Sequence, residues 1–131
     1  MRVGASEVLG YAAEALLLDG DVEAARAELR EAMAIADELG ERVYLPQLLL
    51  LEAAIARARG PADAGSGSVR RAIEEARTQQ APWLMLLALV DLCAHHDAAT
   101  EERDALAMLV DQLPEAADTE PVVRARTLLQ S

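Results

Sequence analysis

Segments 29–36 (Leu-Arg-Glu-Ala-Met-Ala-Ile-Ala) and 69–76 (Val-Arg-Arg-Ala-Ile-Glu-Glu-Ala) stand 40 positions apart and carry one amphipathic helical pattern twice. Each copy is followed by a second, almost wholly apolar helix. A unit of this kind cannot hide its apolar side alone, so it must lean on the next copy; the period of the echo therefore predicts antiparallel helix hairpins stacked in a row. The expected fold is all-α, a short α-solenoid of about seven helices, and 131 residues are enough for a single domain over 1–131.

Composition agrees with that packing. Hydrophobic residues make up 53% of the chain but aromatics only 2%, with no Phe, so the core must be built from Leu, Ala, Val, Ile and Met. Ala and Leu are also the strongest helix formers. The formal net charge is -11 and every basic side chain is Arg. That sign repels phosphate backbones and anionic lipid, which argues against nucleic acid and membrane and for a basic or neutral protein partner. The apolar stretch 81–90 is too short for a bilayer, which needs about 20 residues, and reads as a buried helix. Cys93 has no second cysteine to pair with and no signal peptide is apparent, so a cytoplasmic location is expected.

Punctuation divides the chain into helices. The first is expected over 6–18, with Val8, Tyr11, Ala12, Ala15 and Leu16 on one side and Glu7 and Glu14 on the other. Gly20 can adopt the left-handed conformation that ends a helix, and Asp21 can cap the next. Ala25, Leu29, Ala32, Ala36 and Leu39 then form a seam that stops at Gly40. A third helix begins at Val43 or Pro46 and runs to Arg59; Leu48 to Leu51 and Ala53 to Ala56 leave it little polar face, so it should be covered on two sides. Residues 60–68, rich in Gly, Ser and Ala, read as a mobile surface loop. The fourth helix is expected after Ser68, with Val69, Ala72, Ile73 and Ala76 inward and Arg70/Glu74 and Arg71/Glu75 as exposed pairs. Pro82 opens a fifth, in which Trp83 reads as a buried anchor. Thr100 is the expected cap of a sixth that Pro114 closes, and a short seventh starts around Thr119 to Pro121.

Leu9, the Gly20-Asp21 turn, Ala25, Leu29 and Ala32 fall where the tetratricopeptide repeat places its apolar, turn and small positions, and the chain resembles that family. The second unit keeps Val69, Ala72 and Ala76 but carries a longer first helix and the Gly/Ser insertion. The segments 39–46 and 118–121, the latter followed by an Arg-rich helix ending in Leu128 and Leu129, also resemble repeat arrays at the ends of bacterial signalling ATPases and nucleotide-cyclase-linked regulators. The resemblance implies a non-catalytic interaction scaffold that binds a protein or peptide, or other domains of a longer regulator. It also implies that the first helix of each pair lines the inner curve, which makes Glu7, Glu14, Gln47, Glu52, Arg57 and Asp91 the expected partner-binding residues. Their acidic majority points to a basic segment. The alternative is a self-associating or small-effector-sensing module, with the 122–129 helix pairing between copies as a homodimer.

Chemistry is weakly signalled. Cys93, His95, His96, Asp97 and Glu101 crowd one helix end, but no second Cys/His pair completes a tetrahedral set, and two imidazoles at the negative end of a helix need no ion. Cys93 lacks a signalled base and oxyanion hole and reads as a small core residue. Asp19-Gly20-Asp21 has its glycine misplaced for a calcium loop, with Arg30 where the closing Glu belongs. Ser66 follows no strand, and a phosphate-binding loop needs a Lys that the chain lacks. No cofactor, no metal and no enzymatic activity are expected.

Overall fold

The computed structural model describes residues 5–40 and 42–130. These form seven α-helices and no strand: α1 (Ala5–Leu18), α2 (Val22–Leu39), α3 (Leu45–Arg59), α4 (Ser66–Thr78), α5 (Pro82–His95), α6 (Thr100–Gln112) and α7 (Glu120–Leu129). Short 3-10 turns at Arg42–Tyr44 and Pro114–Ala116 precede α3 and α7. No helix among the described residues is long and apolar enough to cross a membrane.

Local chemistry sets most of these ends. Asp21 Oδ1 accepts from the Ala24 N–H at 3.2 Å and caps α2, while Gly40, at φ +68°, closes it. Pro46 sits in the first turn of α3 and Pro82 in that of α5, where no intrahelical N–H is lost. At α6 the expected cap is displaced by one residue. Ala99 holds the N-cap position and has no side-chain acceptor to offer, and Glu102 Oε1 reaches back to the Ala99 N–H at 2.8 Å, which leaves the carboxylate arm of a capping box without the hydroxyl arm expected of Thr100.

Each helix packs on the next, and α1 touches α3, α3 touches α5 and α5 touches α7, so the odd-numbered helices form a continuous row. Two cores lie between the layers. Ala13, Ala25, Leu29, Ala32 and Ala36 close with Leu48 and Ile55 of α3 into one. Leu45, Leu49 and Ala53 of the same helix enter the other, which extends through Leu86, Leu89, Leu106 and Val122. The nearly all-round apolar character of α3 follows from its membership of both.

Four further expectations are corrected. The inward face of α1 is Ser6, Gly10 and Ala13, whereas Val8 is 66% exposed and Tyr11, Ala12 and Ala15 also face outward. The smallest residues let α1 approach α2 and α3 closely, and at the edge of the row one covered face is all the helix has. Trp83, at the second position of α5, is 37% exposed and not the buried anchor expected. Residues 66–68 are the first turn of α4 and not loop. Gly65 explains why: with φ +91°, it lies so near α3 that a Cβ would stand 2.7 Å from Ala53 Cα. Finally, Arg70 reaches across to Glu102 of α6 at 2.9 Å, Glu75 pairs with Arg42, and Glu74 with Arg77, in place of the two intrahelical i,i+4 pairs.

Candidate functional site

The row of odd helices carries two clefts. The first lies between α1 and α3, about 160 Å³ in volume, lined by Glu7, Gly10, Tyr11, Glu14, Tyr44, Gln47, Leu48 and Leu51. Glu7, Tyr11 and Glu14 recur at spacings of four and three, which puts them on one stripe of α1. The Tyr11 hydroxyl donates to Glu7 Oε1 at 2.9 Å. This bond, and the charge of Glu7 behind it, raises the phenol above its ordinary pKa, with Glu14 adding in the same sense. Gly10 forms the floor against Leu48, and a Cβ there would come within 2.8 Å of Leu48 Cδ2. Among the described residues no basic side chain lines this cleft.

The second cleft, about 300 Å³, is bounded by Leu50 of α3, Leu87, Val90, Asp91 and His95 of α5, and Glu120, Pro121 and Arg124 of α7. Of its polar lining, Asp91 is already engaged by the protein itself. Arg57 Nη1 lies 3.1 Å from Asp91 Oδ1, close enough for an ion pair but off the direction of a hydrogen bond, so that oxygen has no hydrogen-bonded partner. The same Arg57 nitrogen is 3.2 Å from His96 Nε2. His96 Nδ1 faces the Asp63 carbonyl at 3.0 Å; a carbonyl only accepts, so Nδ1 carries the proton and Nε2 accepts from Arg57. His95 has its pKa lowered, first by burial and then by the Arg57 charge, with Asp91 opposing and Arg124 and His96 lowering it further.

Of the six residues expected to line a partner-binding groove, Glu7, Glu14 and Gln47 therefore meet in the first cleft. Arg57 and Asp91 meet at the second, where Asp91 lines the wall and Arg57 is spent holding it. Glu52 joins neither. It stands about 140° round α3 from Gln47, accepts from Ser68 Oγ at 2.6 Å and borders a hollow with Arg26, Arg30 and Arg59 on the α2 side. Tyr11 and Tyr44 were not anticipated as lining residues. Tyr11 could have been found from its i+4 relation to Glu7; nothing in the sequence marks Tyr44.

Among the described residues no three of His, Cys, Asp and Glu converge where they could share a metal ion. Burial pushes the Cys93 thiol up, with Glu102 adding and Arg103 opposing, which keeps the sulfur in its weakly nucleophilic form. No family model matches the chain, and no curated protein or solved structure is significantly similar to it.

Proposed function

We propose that this chain is a non-catalytic interaction scaffold, a tetratricopeptide-like array whose odd-helix face docks a basic peptide or protein segment, as part of a signalling or transcription-regulatory protein of the cytoplasm. The observation that carries the reading is the side-by-side contact of α1, α3, α5 and α7 with the acidic cleft at one end of that row. A row of helices gives a ligand a long surface to follow, and carboxylates on it that no described basic residue pairs with steer cationic partners and set their specificity. Fluorescence anisotropy with an Arg-rich peptide and its Glu-substituted counterpart tests it. Saturable binding of the basic peptide alone, weakening as salt rises from 50 to 300 mM as charge screening requires (Debye length about 8 Å near 0.15 M), is expected. Equal binding of both peptides, or of neither, overturns it.

A second reading, self-association, has its own support in the outward apolar side of α1, where Val8 and Leu18 are exposed. The α1 edge offers this apolar surface, while on the 122–129 helix Val122 and Ala125 are buried in the core and Val123 is exposed. Sedimentation at several concentrations separates the two: a mass that rises with concentration favours self-association.

A further inference from the structure

We infer that the cleft between α1 and α3 is a receptor for one arginine side chain of the docking segment, selecting guanidinium over other head groups. This rests on the scaffold reading and names what one end of the face recognises.

The cleft has the parts that a flat cation requires. Its floor, Gly10, Leu48 and Leu51, is apolar and suits the methylene stem; Tyr11 and Tyr44 supply aromatic surface; Glu7 and Glu14 stand seven residues apart on one stripe of α1, with the Gln47 amide across from them on α3. One oxygen of Glu7 accepts from Tyr11, and among the described residues neither Glu7 nor Glu14 forms an ion pair. The protein's own Arg42, Arg57, Arg59, Arg70 and Arg77 are each engaged by a carboxylate elsewhere. Among the described residues, then, no cation answers the charge of the cleft.

Size narrows the occupant further. At about 160 Å³ the space compares with the cavity of about 150 Å³ that holds a benzene molecule. It admits a single planar head group, and a helix would have to lie above it. Guanidinium matches on three counts. It is planar and stacks on an aromatic ring, it is weakly hydrated and so loses little on leaving water, and its fork of donors can serve a carboxylate with two bonds. The lysine ammonium shares the charge and its attraction to an aromatic face, but it is strongly hydrated and lacks the planar fork.

The test is a 1H–15N NMR titration of the full chain with N-acetyl-arginine amide, N-acetyl-citrulline amide as the uncharged isostere, and N-acetyl-lysine amide. Saturable shifts confined to Gly10, Tyr11, Gln47 and Leu48 are expected with the arginine amide. Affinity should be about tenfold lower for citrulline, and about tenfold lower for arginine amide on a Glu7→Gln/Glu14→Gln variant whose helical circular dichroism is unchanged, since each removes a charge-assisted bond. Citrulline or lysine amide binding as tightly as arginine amide overturns the inference, as do shifts centred on other residues. If the Arg-rich peptide still binds while this cleft stays unperturbed, the arginine receptor is refuted and the scaffold reading survives; if neither probe binds, both fall.

Discussion

Arg57 of α3 and Asp91 of α5 face each other at 3.1 Å with only 13% and 18% of their side chains exposed, and His96 Nε2 lies 3.2 Å from the same Arg57 nitrogen. One guanidinium thereby joins two neighbouring helices of the odd row to the turn before α4. Charges this far from water are stable only together.

Arg57→Ala should accordingly cost more than the loss of one surface ion pair. It leaves Asp91 partly buried and uncompensated, and the expected loss is about 2 kcal/mol in urea unfolding. The double change Arg57→Met with Asp91→Leu removes both charges and should be closer to the parent than Arg57→Ala is. A double variant less stable than the single one would show that the pair holds the helices by something other than charge balance.

Gly65 and Gly67 look alike in the sequence and differ in their surroundings. Gly65 has φ +91° with Ala53 Cα 2.7 Å from where its Cβ would stand, whereas Gly67 lies in the first turn of α4 with open space around it. Gly65→Ala must both strain the backbone and push α4 off α3, for a predicted loss of about 3 kcal/mol. Gly67→Ala should be neutral or stabilising by up to about 1 kcal/mol, through better helix propensity. Thermal unfolding of the two variants side by side checks this; equal shifts would mean that the turn does not pack on α3.

That contrast marks what the chain reveals when read alone. Breaks made by local chemistry were legible, because Asp21, Gly40, Pro46 and Pro82 act on their own backbone. So was the two-sided burial of α3, since Leu48 and Leu49 can both be buried only if neighbours cover two faces. Features settled by a distant neighbour were not legible. The choice between two apolar stripes of α1 turned on how closely Gly10 can approach Leu48, and a run rich in Gly and Ser became helix because Gly65 meets Ala53. In the cleft, the acidic positions on α1 could be placed from spacing, but Tyr44 reaches it from a 3-10 turn whose geometry no periodicity encodes.

His95 links the second cleft to pH. Its folded pKa lies below the ordinary 6.5, first from the partial desolvation of a side chain that stays exposed and next from the nearby Arg57 charge. The unfolded chain therefore binds the proton more readily, and stability should be fully present above about 6.5 and fall as pH drops below it, until folded His95 itself is protonated. Melting temperature measured from pH 7.5 to 5 should decline in that window. His95→Asn should flatten the decline; an unchanged slope in the variant would assign it to other groups.

Glu102 serves two elements at once, and its pKa is lowered first by the hydrogen bond from Arg70 and also by the Ala99 N–H, against an opposing push from burial. A carboxylate with a depressed folded pKa contributes stability above its unfolded value near 4.5, and that contribution is lost as pH falls through the folded value. Because Arg70 is 45% exposed, the ion pair is screened by solvent and worth little on its own. The cap should weigh more. Glu102→Ala is expected to cost about 1 kcal/mol at pH 7, and Arg70→Ala appreciably less, since it leaves the cap in place. Amide hydrogen exchange should then show the first turn of α6 loosened in Glu102→Ala and protected in Arg70→Ala; the reverse order would place the tie between α4 and α6, and not the cap, as the more important of the two.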